Sequence, residues 1–327
     1  MDVLYQRCAG LDVSKRDAKA CVRITSEHGR TRQEITTWTA MTNEVNRLAD
    51  YLLGQDVGLV VIEATGDYWR QFYFLLEDKG LNVQLVHARE ARNLPGRKTD
   101  VSDAAWLAQL GAHGLLQACL VPPEDIRHLR DLTRTRTAIT EERSREVQRL
   151  EKMLEDSGIK LSSIATDITG VSGRAMLHAL IEGQNDPAVL ADLAKKAMRR
   201  KIPVLTEALT GRFNAHHAFM TKLFLNRIDA HSKDIATLDA RIDELMQPFN
   251  AARELLMTVP GISNRTAEVI IAETGADMSV FPTASHLASW AGTAPGANES
   301  AGRVKSTQTR PGNRYLKRAL GTEPSRV

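Results

Sequence analysis

Residues 1 to 120 alternate between short apolar runs and segments with helical periodicity. The apolar and β-branched runs predict strands at 8–13, 18–25, 33–38, 57–62 and 82–86. Val45, Leu48, Ala49 and Leu52 follow the i, i+3, i+4, i+7 spacing of an amphipathic helix. Helices are predicted at 42–53, at 68–78, and at 99–110 behind an N-cap at Thr99.

This order of elements predicts the fold class of the N-terminal region. Three antiparallel strands followed by alternating helices and strands produce an α/β sheet with helices packed on it. The same succession is that of the ribonuclease-H-like fold. We therefore expect an α/β, ribonuclease-H-like domain over residues 1–122.

Beyond Pro122 and Pro123 the pattern becomes helical. Residues 124–155 contain neither Gly nor Pro and predict one long helix that forms a coiled-coil arm. A second helical arm is predicted at 213–246. Three arginines of the first arm suit either phosphate contacts or i,i+4 ion pairs on a solvated face: Arg143, Arg145 and Arg149. We expect a helical coiled-coil region at 123–250 and a mostly α C-terminal domain at 251–327.

The C-terminal region contains a glycine turn and a basic segment. Residues 258–271 have the pattern of a helix-hairpin-helix, whose turn, here at Gly261, presents backbone N–H groups to a phosphate. An ordinary αα-hairpin is the alternative. Residues 300–320 hold six basic residues and no acid, which indicates phosphate contacts or a basic surface strip: Arg303, Lys305, Arg310, Arg314, Lys317 and Arg318.

Composition limits the class of protein. The 327 residues are 43% hydrophobic and 25% charged, as in globular proteins. No apolar run approaches the ~18 residues of a membrane span, and the N-terminus has no secretory pattern. We therefore expect a soluble, cytoplasmic protein with no membrane partner. The three cysteines are widely spaced and predict reduced, buried thiols, and the net charge of +3 is too small to indicate a nucleic-acid partner by itself.

Four carboxylates carry the candidate chemistry. Asp12 and Glu63 fall at the ends of the first and fourth predicted strands, which are neighbours in the expected sheet. Asp100 and Asp103 are three residues apart on the last predicted helix of the domain, and therefore on one helical face. Four converging carboxylates repel unless a cation lies among them. This predicts a site for Mg²⁺ or Mn²⁺ suited to phosphodiester chemistry, although each acid alone could serve as a cap or turn residue.

These residues stand in motifs that resemble a known family. The segments 10–15, 62–66 and 98–104 resemble the motifs of the DEDD insertion-sequence transposases, insertion sequence family one hundred and ten. The segments 259–262 and 287–295 resemble that family's C-terminal transposase domain. The resemblance extends from residue 8 to about residue 320, with both halves in the family's order.

The resemblance implies a RuvC-like nuclease domain whose acidic tetrad is Asp12, Glu63, Asp100 and Asp103. It also implies a serine nucleophile, which maps to Ser300 in the segment 298–303. By the same resemblance, the protein is a DNA recombinase directed by a structured bridge RNA. Its protomers, in a dimer or tetramer, would share composite active sites.

One departure leaves alternatives open. The family continues past residues 312–316 with further helices, whereas this chain stops at Val327, so we expect a shortened C-terminal domain. The leading hypothesis is a transposase that cuts and rejoins DNA through a phosphoserine intermediate. The alternatives are a RuvC-type junction-resolving nuclease that uses the four acids and water, and a truncated nucleic-acid-binding copy without activity. A sugar-kinase-like ATPase is disfavoured because the segment after Asp12 lacks a glycine-rich phosphate loop.

Overall fold

The computed structural model describes residues 3–26, 28–64, 66–87, 102–294, 298–300, 303–306, 309 and 312–321. Among residues 298–300 and 304–306 it describes the backbone only. The chain forms two compact units, Met1–Val121 and Pro122–Val327.

The first unit is built on a five-stranded mixed sheet. Its strands are β1 (Arg7–Val13), β2 (Asp17–Thr25), β3 (Thr31–Thr39), β4 (Leu59–Glu63) and β5 (Val83–Val86). They lie in the order β3-β2-β1-β4-β5. The pairs β1–β2 and β2–β3 are antiparallel, whereas the pairs β1–β4 and β4–β5 are parallel. This confirms the mixed α/β sheet predicted from the sequence.

Helices cover both faces of this sheet: α1 (Thr42–Gly54), α2 (Trp69–Asp78) and α3 (Asp103–Ala112). Alternate strand residues point to opposite faces. Ala9 and Leu11 pack in one cluster with residues of α1 and α2. Cys8 packs in another cluster with Trp106 and Leu107 of α3. The central strand β1 is therefore covered on both faces.

The start of α3 corrects one prediction. Thr99 was expected to cap this helix, but the N-cap is Ser102, whose hydroxyl oxygen accepts a hydrogen bond from the Ala105 N–H at 3.3 Å. Serine and threonine have similar capping preferences, so the sequence does not distinguish the two positions. Thr99 and Asp100 lie outside the described residues. Because Asp100 is not described, its expected position on one helical face with Asp103 stays a prediction.

The second unit is mostly helical, as predicted. Its described helices are α4 (Glu124–Asp156), α5 (Leu161–Ile164), α6 (Val171–Ile181), α7 (Pro187–Asp192), α8 (Ile202–Ala208), α9 (Ala215–Met246), α10 (Asn250–Met257), α11 (Asn264–Thr274), α12 (Ala284–Ala291) and α13 (Arg314–Gly321). Short 3₁₀ helices occupy Lys196–Lys201, Gln247–Phe249 and Met278–Val280. A two-stranded antiparallel ladder joins β6 (Asn298–Ser300) to β7 (Arg303–Ser306).

The long helices α4 and α9 pack against each other in antiparallel orientation. Leu150 and Leu154 of α4 share a cluster with Phe224 near the start of α9. At the opposite end, Ile126 shares a cluster with Met246. Between these apolar ends the contacts are polar.

Three polar contacts cross the middle of the helical pair, and His217 of α9 lies 3.1 Å from Asp156 at the end of α4. Arg136 donates to Asp239 at 2.9 Å, and Arg143 donates to Ser232 at 2.8 Å. The Arg227 guanidinium lies 3.6 Å from the Glu146 carboxylate. In this middle section α4 buries the charged side chains Arg136 and Glu146, whereas a regular coiled coil buries an apolar seam.

In the part of the chain that the structure describes, no helix is both long enough and apolar enough to cross a membrane.

Candidate active site

Asp12 and Glu63 lie at the same edge and on the same face of the sheet. The parallel strands β1 and β4 pair Leu11 with Ile62, so the next residue of each strand is one of the two acids. Asp12 alternates with Cys8 and lies on the face that α3 covers. By the same alternation, Glu63 shares the face of Leu59 and Val61, which pack with α3. Glu63 is 5% exposed.

Helix α3 brings Asp103 to this edge. A Cβ added to Gly10 would lie 2.2 Å from the Ala104 carbonyl oxygen, and one added to Gly111 would lie 3.0 Å from the Cys8 sulphur. The start of α3 therefore lies over Gly10 and its end over Cys8, so that the helix runs opposite to β1. Asp103, the first residue of α3, is placed toward the strand end that carries Asp12. The helix N-terminus adds a partial positive charge there.

The structure thus places Asp12 and Glu63 on one face of one sheet edge, and the helix α3 begins at Asp103 toward the same edge. Asp100 lies outside the described residues. Among the residues that are described, no three His, Cys, Asp or Glu side chains are close enough to hold a metal ion together. The donor set itself, carboxylate oxygens on parallel strand ends, has the chemistry that hard divalent cations prefer.

Lys19 is a residue of this edge that the sequence analysis missed. It pairs in register with Asp12 across β1 and β2, and it is exposed. Directly opposed residues of two strands share a face, so its ammonium group is a cation beside the acids. Only the strand register identifies it, and a single sequence does not provide that register.

Ser300 is the last residue of β6, and its backbone pairs with Arg303 of β7. Arg303 is exposed, and the side chains of Ser300 and Lys305 are not described. Arg310 lies outside the described residues. The structure therefore brings Ser300 and one predicted phosphate-binding residue to facing positions of the ladder.

The two glycines on either side of the Ser300 segment, Gly292 and Gly312, lie next to each other. A Cβ on Gly312 would lie 2.4 Å from the Gly292 backbone nitrogen, so the two glycines are in close contact. Gly292 has a φ of 74°, in the left-handed region that favours glycine. The Asn313 N–H donates to the Trp290 carbonyl at 3.4 Å. Both glycines are therefore required at the base of the segment.

A buried carboxylate, Glu273 of α11, anchors this base. It has no exposed surface and accepts two hydrogen bonds from Arg134 at 2.8 Å each and one from Asn313 at 2.6 Å. Arg130 lies 3.4 Å away. Burial acts to lower the pKa of Arg134, but the hydrogen bond and charge of Glu273 outweigh it and raise that pKa. The sequence analysis missed Glu273, because it looks like an ordinary polar position near a helix end.

Three predicted phosphate-binding residues of α13 are described, and each of them contacts another side chain of the chain. The guanidinium of Arg314 lies 4.8 Å from the Tyr315 ring centre, and Arg134 lies 4.6 Å from it. Arg318 pairs with Glu141 of α4. Lys317 is exposed and contacts the Thr309 hydroxyl.

Gly261 lies in the turn between α10 and α11, with a φ of 89°. The Ser263 hydroxyl caps α11 by accepting a hydrogen bond from the Thr266 N–H at 3.2 Å. The structure thus contains two helices joined by a glycine turn at the predicted place. Phosphate binding at this turn stays a prediction.

Two models of known protein families match this chain, one in each half. A family model described as a transposase, of the DEDD IS110 type, matches residues 9–159. A second model, described as the transposase IS116/IS110/IS902 family, matches residues 253–323.

Two curated relatives are similar over parts of the chain. One, an insertion element IS900 uncharacterized 42 kDa protein of Mycobacterium paratuberculosis, is 30% identical over 241 residues, 68% of this chain and 59% of that protein. The other, an insertion element IS110 uncharacterized 43.6 kDa protein of Streptomyces coelicolor, is 40% identical over 84 residues, 25% of this chain and 20% of that protein. The chain therefore spans less than two thirds of either relative.

Among solved structures, T. thermophilus RuvC in complex with a Holliday junction substrate matches 35% of this chain and 99% of its own. The TM-score is 0.27 and the identity 10%.

Proposed function

Because this chain belongs to the IS110 family of transposases, we propose that it is a DNA transposase that cuts and rejoins DNA. The observation that supports the proposal is that Asp12 and Glu63 follow paired residues of β1 and β4 on one face of the sheet, with Asp103 at the end of α3 that lies toward them. Such a placement of carboxylates offers hard oxygen donors to a divalent cation. It suits a nuclease centre of the RuvC type.

We assign divalent cation binding to Asp12, Glu63, Asp100 and Asp103. Their oxygens are the hard ligands that Mg²⁺ or Mn²⁺ takes in proteins. A bound divalent cation would stabilise charge on the attacked phosphodiester and on the leaving oxygen. Lys19, at the position facing Asp12, would add a positive charge that helps to hold the DNA phosphate at this edge.

Ser300 is the proposed nucleophile for strand transfer. Its oxygen would attack a DNA phosphorus, displace one deoxyribose oxygen, and leave a phosphoserine bond that a second strand end later resolves. A serine hydroxyl is a weak nucleophile near neutral pH and needs a base. Ser300 has no His beside it in sequence. We therefore propose that a carboxylate at the acidic edge of another protomer accepts the proton of the Ser300 hydroxyl. Arg303 and Lys305 would stabilise the charge on the attacked phosphate.

The partners follow from the same proposal. DNA would be the substrate, a structured bridge RNA would select the site, and a dimer or tetramer would form the composite centres. When an RNA selects the site, the protein follows backbones and reads few bases. The basic residues Arg303, Lys305, Arg310, Arg314, Lys317 and Arg318, together with the turn at Gly261, are assigned to phosphate contacts. Binding should therefore weaken steeply with salt.

An adduct assay tests the function. The purified chain is incubated with RNA transcribed from the DNA that flanks its gene, a matched DNA and Mg²⁺, and is resolved under denaturing conditions. We expect a Mg²⁺-dependent covalent protein–DNA adduct that is lost in Ser300→Ala and in Asp12→Asn. The matched controls are Ser144→Ala and Asp50→Ala, which remove an exposed hydroxyl and an exposed carboxylate elsewhere, and both should retain the adduct.

Two other outcomes decide between the alternatives. Strand cleavage without an adduct, lost in Asp12→Asn and kept in Ser300→Ala, would establish a junction-resolving nuclease. Binding of RNA and DNA with both strands left intact would establish an inactive, nucleic-acid-binding copy.

A further inference from the structure

A compact cationic cluster lies in the second unit, at the 3₁₀ helix Lys196–Lys201 and the residue before it. Residues 195–201 hold five cations and no acid: Lys195, Lys196, Arg199, Arg200 and Lys201. All five are exposed. Their charge exceeds the net charge of +3 of the whole chain. We call this group the 195–201 cluster.

The 195–201 cluster is fixed to the core of the unit at both ends. Ala194 and Leu205, on either side, are fully buried. The Lys195 N–H donates to the Ser172 hydroxyl at 2.9 Å. Lys196 has a φ of 50°, a left-handed conformation that costs a non-glycine residue of order 1 kcal/mol. The surrounding structure therefore holds the segment in one strained conformation.

Two members of the cluster support this conformation. The Arg199 guanidinium donates to the Asp192 carboxylate at 3.1 Å and to the Ala194 carbonyl at 3.4 Å. The Lys201 ammonium donates to the Ile164 carbonyl at 2.9 Å. These two side chains hold the helix in place, which leaves Lys195, Lys196 and Arg200 to present charge to solvent.

The charge of the cluster is largely uncompensated. Across the described part of the chain, Arg199 is the one member of the cluster with a carboxylate within 4.0 Å, that of Asp192. Like charges at this density repel one another in the free protein. An anionic partner with several charges would relieve that repulsion, whereas a single small anion would meet only part of the cluster.

The dimensions of the cluster fit a phosphodiester backbone. A 3₁₀ helix rises about 2.0 Å per residue, so six residues span about 12 Å. One strand of duplex DNA advances about 3.4 Å per phosphate along its axis, so this length covers about three phosphates. Ammonium groups contact phosphate as point charges and read no base.

We propose that Lys195, Lys196 and Arg200, none of which belongs to the acidic tetrad or to the basic segment at 300–320, form a nucleic-acid backbone site. The choice of nucleic acid as the polyanion rests on the proposed function. DNA and RNA share the phosphate chemistry, so both are measured. The site binds reversibly and takes no part in bond making.

The test measures binding of the full chain to a short mixed-sequence DNA duplex and to an RNA hairpin over a series of salt concentrations. The variant is Lys195→Gln, Lys196→Gln, Arg200→Gln, which keeps the two side chains that hold the helix. We expect affinity at about 0.1 M salt to fall about a hundredfold for the nucleic acid that occupies the site. The slope of log Kd against log salt should fall by about 2 to 3, close to one unit per lost contact.

Two matched variants complete the test. Arg30→Gln, Arg32→Gln, Arg47→Gln removes the same charge from exposed positions of the first unit and should change the slope little. Lys195→Arg, Lys196→Arg keeps the charge and should bind as the parent does. Equal losses in both neutralising variants, or no loss in either, would overturn the site. Binding to anionic lipid vesicles in preference to both nucleic acids would overturn it as well.

This test is independent of the test for transposition. Asp50→Ala and Ser144→Ala, which belong to neither proposed site, should bind both probes with parental affinity. If no adduct forms while the cluster variant still shows the expected loss of binding, only the catalytic proposal is refuted. Parental binding by the cluster variant, with the adduct intact, would remove the site alone.

Discussion

Replacing Gly10 with alanine should separate α3 from the sheet. The added Cβ would lie 2.2 Å from the Ala104 carbonyl oxygen, 2.4 Å from the Ala108 backbone nitrogen and 2.9 Å from the Leu107 Cβ. Two of these atoms are backbone, so no side-chain rotation relieves the contact. Reaching an ordinary distance of 3.4 Å requires α3 to move by about 1.2 Å.

The expected cost follows from the packing on both sides of that contact. Ala104 and Ala108 are fully buried against β1 and β2, so a displaced helix leaves gaps elsewhere on this face. Overpacking of this kind costs about 1–3 kcal/mol. For a unit of about this size, 3 kcal/mol corresponds to a Tm lower by roughly 10 °C. Because α3 carries Asp103, nuclease or adduct activity should fall as well.

Thermal and urea unfolding of Gly10→Ala measure this cost, with Gly54→Ala as the control. Gly54 is also in the first unit, at the end of α1, and a Cβ added there meets nothing within 4 Å. Gly54→Ala should be neutral or stabilising by up to about 1 kcal/mol. If Gly10→Ala unfolds within about 0.5 kcal/mol of the parent, the close approach of α3 to β1 is refuted.

Two further predictions concern buried groups. Glu273→Gln leaves the partly buried guanidinium groups of Arg130 and Arg134 without their carboxylate and should lower the free energy of unfolding of the second unit by about 3 kcal/mol in urea titrations. The exposed Glu254→Gln is its control, and equal stability of the two variants would contradict the buried ion pair. Burial raises the pKa of Cys8 to about 12 and that of Cys21 to about 11. In Cys119→Ala, both remaining thiols should stay protonated near pH ~8 and react with a disulphide reagent only after unfolding; rapid labelling of the folded protein would contradict this.

The sequence predicted the first unit well where the pattern was strong. Strands β1 and β2 and helix α1 lie within one residue of their predicted ends, because apolar side chains there repeat with the period of the element. The exposed edge strand β3 is longer than predicted, since pairing with β2 extends it beyond its apolar residues. The placement of Asp12 and Glu63 was also predictable, because parallel neighbours end at one edge.

What the sequence could not supply depends on contacts between distant residues. Lys19 joins the acidic edge only through the register of β1 and β2, and Glu273 is a buried ion-pair partner only because α4 and α13 pack around it. The polar middle of the long helices also escaped prediction. Arg136 and Glu146 resemble surface positions of an amphipathic helix, yet both are buried.

The polar section between α4 and α9 has a consequence for how the pair selects its alignment. Apolar ends alone would tolerate a slide by one heptad, because Leu, Ile and Met substitute for one another at small cost. A slide separates Arg136 from Asp239 and Glu146 from Arg227, so each buried charge loses one of its two ion-pair partners and keeps only the other, Glu268 for Arg136 and Arg149 for Glu146. A misaligned pair of α4 and α9 is therefore less stable than the aligned pair. The ion pairs thus favour one alignment of the two helices.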